Sequence, residues 1–178
     1  MAQLSEQLID DHAALDKVLK ELQTALQRRD RETAQANLDL FWARLAVHIR
    51  AEHLHLFPAV LASHGNEAQT VVAQLRGDHE FFMHNLGHAV ENMRKLSTVS
   101  EQRIIEAGLN EIKDTVVEIE QRLVTHNQIE ENQVYRWATT LLNSAEQAKL
   151  QQRITAELRN RPARFRALPK KSNRADWN

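Results

Sequence analysis

The sequence predicts an all-α protein: an up-down-up-down antiparallel four-helix bundle, followed by a short C-terminal helix and a basic tail. Three observations predict it. Apolar residues recur at steps of three and four along most of the chain, the spacing of one face of an α-helix. Four Gly and three Pro in 178 residues leave too few turn formers for a many-stranded β fold. The polar breaks between the periodic stretches are short, and short links make successive helices run antiparallel.

Leu4, Leu8, His12, Leu15, Leu19, Leu22 and Leu26 form the first stripe, capped by Ser5 or an earlier residue and ended by the polar run Arg28-Arg29-Asp30-Arg31. The second stripe is Leu38, Phe41, Leu45, His48, Glu52, Leu56 and Ala59. It stops near Ser63-His64-Gly65-Asn66, where Gly65 suits a left-handed C-terminal cap. Val72, Leu75, His79, Phe82, Leu86, Ala89, Met93 and Leu96 make the third. The connector Ser97-Thr98-Val99-Ser100 comes next, with Ser100 expected as the next N-cap. The fourth and longest stripe is Ile105, Leu109, Ile112, Val116, Ile119, Leu123, His126, Glu130, Val134, Trp137 and Leu141. A weaker helical segment spans about 145–160, and Pro162 and Pro169 close regular structure. The bundle is expected over residues 1–143, and the C-terminal helix with its tail over 144–178.

Composition narrows the function. Hydrophobic residues at 42% and charged residues at 26% are ordinary for a globular protein and exclude disorder of the whole chain. No apolar run is long enough to span a membrane. The first residues carry no basic stretch followed by an apolar one, so no secretory signal is read there and the cytoplasm is the expected compartment. The absence of Cys excludes disulfides, thiolate metal sites, iron–sulfur clusters and a thiol nucleophile. The net charge of −1 gives no nucleic-acid footprint overall. Arg161, Arg164, Arg166, Lys170, Lys171 and Arg174 against Asp176 nevertheless make the tail basic. It reads as a solvated or folded-back terminus, or as the contact for an acidic partner or nucleic acid.

Nine His are the oddity. His12, His48, Glu52, His79, His126 and Glu130 occupy positions that the periodicity reserves for core residues. Burying six ionisable groups without partners costs several kcal/mol each, against a net stability of about 5–15 kcal/mol. A bound metal satisfies them all at once. Counted from the ends of their antiparallel helices, the six fall in one layer near one end of the bundle. The spacing His-x-x-x-Glu sets both side chains on one helix face. It occurs twice, in HIRAEHLHLF (48–57) and HNQIEENQVY (126–135), and each copy follows a helix carrying Asp-His (Asp11-His12 and Asp78-His79). The chain thus reads as two copies of one helical hairpin, each donating two His and one Glu to a two-metal site with shared carboxylates. Ferritin-like bundles use Glu-x-x-His twice; here only Glu52-x-x-His55 fits, so that reading fails.

The pattern H…HxxxE…H…HxxxE, with EHLHLFP and EENQVYR in the matching places, resembles the hemerythrin-like (HHE cation-binding) family over about residues 8–140. The resemblance implies a non-haem centre of two iron ions with an oxo or hydroxo bridge: His12 and His48 on one iron, His79 and His126 on the other, Glu52 and Glu130 bridging. There are departures. The oxygen carriers of that family have a fifth His where this chain has Leu75, and their second carboxylate falls at Glu131. Glu130 fits the first copy better and is the expected ligand. His53 replaces the second Glu of the usual pair, and Arg136 replaces the second Pro.

Of the other His, His55 reads as an extra ligand or a support of one, while His53, His64, His84 and His88 read as exposed. Tyr135 reads as a hydrogen-bond donor near the site or as core; Trp42, Trp137 and the Phe residues read as core. Imidazole and carboxylate donors suit iron, with Mn or Zn as substitutes. With one position open on each iron, the expected ligands are O₂, NO or peroxide, with catalase- or peroxidase-like turnover. The alternative is an iron-sensing or iron-storing module that signals through a partner.

Overall fold

The computed structural model describes residues 3–160; the predicted basic tail, with Pro162 and Pro169, lies outside the described residues. Helix α1 spans Gln3–Gln27 and α2 spans Arg31–Ala51. A π-helical turn, π1 (Glu52–Leu56), joins α2 to α3 (Phe57–Leu96). Helix α4 (Gln102–Ile129) runs through a second π turn, π2 (Glu130–Val134), into α5 (Tyr135–Thr140). Helix α6 spans Ser144–Arg159. Packing of α1 on α2, α2 on α3, α3 on α4 and α4 on α1 closes an antiparallel four-helix bundle. No helix among the described residues is long and apolar enough to cross a membrane.

The turns obey local chemistry. Asp30 caps α2 by accepting from the Thr33 backbone N–H and hydroxyl, at 3.2 and 2.8 Å. Asn143 and Glu146 form a reciprocal capping box that starts α6. Two expectations need correction. Glu101, not Ser100, occupies the cap position of α4, and no side chain caps it. Gly65 breaks the helical backbone inside α3, but at φ 66° and ψ −140° it is not in the left-handed helical cap conformation. The chain turns a corner there and resumes the helix.

The core is split in two. One apolar cluster holds Leu15, Leu22, Phe41, Leu45, Phe82, Met93, Ile112 and Leu123 among others. The second holds Leu8, Ala51, Leu56, Phe57, Leu75, Val134 and Tyr135, with Leu150, Ile154 and Leu158 of α6 laid over them. Each boundary falls at an ionisable residue: His12 lies between Leu8 and Leu15, and His79 between Leu75 and Phe82. Among the described side chains, which leave out Leu4 and Phe165, the predicted stripes hold in phase, except that Leu141 is exposed and Trp42, Ala59, Phe81, Ile105 and Trp137 are only partly buried.

Gly65 supports the corner through its backbone alone, since nothing lies within 4 Å of the site a Cβ would take. Its φ/ψ belongs to a region essentially confined to glycine. Gly65→Ala should cost about 1–3 kcal/mol in chemical unfolding. A variant as stable as the parent would show that the corner is not strained.

Candidate metal centre

The structure brings His12 from α1, His48 from α2, Glu52 from π1, His79 from α3, His126 from α4 and Glu130 from π2 into one buried layer. The two glutamates are fully buried and each His is at most 4% exposed. Two groups of donors could each hold a metal ion: His12, His48, Glu52 and Glu130 on one side, and His79, His126 and Glu130 on the other. The Nε2 atoms of His12 and His48 are 3.1 Å apart, and those of His79 and His126 are 3.0 Å apart. Carboxylate oxygens close the figure. His126 Nε2 is 3.0 Å and His12 Nε2 3.3 Å from Glu130, while His48 Nε2 and His79 Nε2 are each 3.4 Å from Glu52.

The outer nitrogens decide what the inner ones offer. His48 Nδ1 faces Asp11 at 3.0 Å, His126 Nδ1 faces Asp78 at 3.2 Å and His12 Nδ1 faces Glu131 at 3.0 Å. A carboxylate only accepts, so each of these Nδ1 atoms carries the proton and each Nε2 turns a lone pair inward. His79 Nδ1 meets the Nε2 of His53 at 2.9 Å instead. Two carboxylate oxygens, Oε2 of Glu52 and Oε1 of Glu130, are buried without a hydrogen bond, even though imidazole nitrogens lie close to both. Converging imidazole nitrogens and unpaired buried carboxylate oxygens fit a cation, and without thiolate the donor set is that of iron, manganese or zinc.

Hydrogen bonds hold the candidate donors in place. Arg44 reaches Asp11 at 3.2 Å and Arg122 reaches Asp78 at 2.7 Å, each from one turn before its His. The repeat Arg-Leu-x-x-His-x-x-x-Glu, at 44–52 and 122–130, carries this signal in the sequence, although stripe periodicity alone assigns the Arg and Asp residues no role. The π turns place a second pair. Phe57 and Tyr135 donate their backbone N–H five residues back, to the carbonyls of Glu52 and Glu130. Each aromatic then stacks on a His of the other hairpin, Phe57 on His79 at 5.8 Å and Tyr135 on His12 at 5.7 Å. The Tyr135 hydroxyl sits 3.0 Å from Glu52, 3.3 Å from Glu130 and 3.1 Å from His12. Its proton is held far above the ordinary phenol range by burial and by the charges of Glu130 and Glu52.

Several minor expectations change. His53 is half-buried and holds His79 rather than facing solvent. His55 is not turned into the layer; it lies 3.9 Å from Glu157 of α6. The π turn inserts one residue and rotates the later side chains off the phase of His48. His64 is half-buried with its ring 4.4 Å from that of Trp137. His84 and His88 are exposed, as expected.

A model of the hemerythrin HHE cation-binding domain matches residues 3–138. The chain belongs to that family. No curated protein and no solved structure matches this hemerythrin-domain chain. The matched span contains all six residues of the layer and ends before α6.

A bound cation would compete with protons for these imidazoles. Burial pulls His48 down, but the charge of Glu52 and the hydrogen bond to Asp11 hold it well above 6.5. His126 is raised in the same way, with Glu130 outweighing burial. Burial pushes Glu130 up, but the charge of His126 and the close imidazoles of His12 and His79 hold it well below 4.5. With metal stripped, the raised imidazoles add stability that is complete below about 6.5 and lost as pH rises through their folded values. Glu130 adds stability that is present above about 4.5 and lost as pH falls through its lowered value. Metal-stripped protein should therefore show its highest Tm between about pH 4.5 and 6.5. Calorimetry across pH 4–9 checks this, and a Tm still climbing above pH 7 would contradict it.

Proposed function

We propose that the chain binds two iron ions, His12 and His48 on one, His79 and His126 on the other, with Glu52 and Glu130 spanning the pair, and that it uses them on O₂, NO or peroxide. The observation that carries this reading is the buried layer in which imidazole nitrogens converge on two carboxylate oxygens that have no hydrogen bond. Iron bound there would supply electrons to, or accept them from, a small oxygen or nitrogen species. The protein supplies the rest. A cavity of about 10 Å³ lies against the layer, walled by Leu15, Phe41, Leu45 and Leu123, with Asp16 and Asn127 on α1 and α4. That volume is at the lower limit for one water molecule, far below what an organic substrate needs. The apolar wall limits water, and Tyr135 offers one hydroxyl proton beside both carboxylates. The chemistry suits defence against oxidative or nitrosative stress, with peroxide consumed.

The second reading, an iron-sensing or iron-storing module, draws on α6. This helix packs on α1, α2 and π1, and Glu157 pairs with Arg50 beside the turn that begins at Glu52. Metal occupancy would then be transmitted to residues 144–178, taken as a separate C-terminal unit, and through the basic tail to a protein partner.

Protein purified from iron-replete cells should hold about two irons per chain. His48→Ala and His126→Ala should each remove most of one iron, as read by elemental analysis; full content in both variants would sink the assignment. Chelation should lower Tm, because binding energy at a buried site is also folding energy; equal values with and without metal would argue that the six residues satisfy one another. Iron-loaded protein should release O₂ from peroxide or consume it with a reductant. Leu75, fully buried one turn before His79, allows a test of ligand number. Leu75→His adds an imidazole on the same helix face and should slow peroxide consumption at unchanged iron content. Negligible turnover by the parent, together with partner capture that requires the tail, would favour the sensing reading.

A further inference from the structure

The two hairpins repeat in backbone and in ligands, but the residues they send across to each other do not match. One residue after each shared Glu, and again five residues after it, a side chain crosses to the first His of the opposite hairpin. At His12 these are Glu131, an anion on Nδ1 at 3.0 Å, and Tyr135, whose hydroxyl is 3.1 Å from Nε2. At His79 the equivalent pair is His53, an imidazole on Nδ1 at 2.9 Å, and Phe57, which has no polar atom and stacks at 11°. A carboxylate accepting from Nδ1–H pushes electron density onto Nε2 and adds negative charge beside the cation; an imidazole acceptor adds no charge.

From these mismatches we propose that the two metal positions are unequal: the His12–His48 position fills first and holds its ion tightly, and the His79–His126 position is the weak, exchangeable one. Glu131 and His53 are positioning residues that set the difference through His12 and His79. Outer partners of this kind are typically worth 10–100-fold in metal affinity, so a gap of about that size is expected between the two steps. The inference rests on the two-metal reading above.

The test uses the full-length chain, stripped of metal and titrated with Co(II) against a chelator, with visible absorption and bound metal per chain recorded. The parent should load in two steps. His48→Ala should abolish the tight step and His126→Ala the weak one. Glu131→Gln, which removes a charge at a side chain 36% exposed and keeps an acceptor, should weaken the tight step about 10–100-fold and leave the weak step unmoved. His53→Glu should tighten the weak step and draw the two together. His53→Gln, which keeps a neutral acceptor for His79, should leave the parent's spacing intact. This last variant separates the charge added by His53→Glu from the change in packing. Two equal steps in the parent, or a His53→Glu isotherm with the parent's spacing, would overturn the inequality while leaving the two-metal reading standing. A single ion or none in the parent would overturn that reading itself.

Discussion

The structure turns on a conflict of solvation. Six ionisable side chains sit in one layer of a helical bundle with almost no access to water. Each would be costly there alone. Their arrangement spreads the demand outward: Asp11, Asp78, Glu131 and His53 engage the outer imidazole nitrogens, and Arg44 and Arg122 engage the aspartates. Toward the centre the demand is left open, as two buried carboxylate oxygens without hydrogen bonds. The apolar clusters on either side keep the layer dry, and their split into two is set by the layer's position.

The π turns answer a geometric need of the same layer. Each begins at a glutamate of the layer, and the extra residue in the turn brings the residue five positions on above that glutamate instead of the residue four on. Phe57 and Tyr135 reach the layer only because of this shift. The same shift carries His55 away from the layer and toward α6. One local irregularity, used twice, thus sets which aromatic faces the layer and which His does not.

Helix α6 addresses a shortage at the end of the bundle nearest the layer. Beyond His12 only the first turns of α1 remain to build a core. Leu150, Ile154 and Leu158 of α6 extend the apolar cluster there, and Arg50–Glu157 and Thr155–Gln7 fasten the helix across α1 and α2. The cover lies over the second cluster, while the cavity beside the ligands is walled by residues of the first. One side of the layer is thus closed by packing and the other lies against a small cavity.

The sequence by itself determined the bundle, because helical periodicity and short links leave one arrangement of four long amphipathic helices. It also determined which six residues meet, since His12, His48, Glu52, His79, His126 and Glu130 break the apolar stripes at matching depths. Periodicity reads one helix at a time and assumes 3.6 residues per turn. It is therefore blind to whatever depends on a neighbouring helix or on a changed turn. Glu131 and His53 lie on helix flanks, and only the packing of α4 on α1 and of α2 on α3 turns them toward His12 and His79. Tyr135 and His55 fall one residue out of the expected phase, because the π turns are absent from any 3.6-residue count. The repeat in the sequence announced symmetry. The tertiary structure decided where that symmetry fails, because a residue's partner across the bundle lies in the other hairpin and no spacing within one hairpin records it.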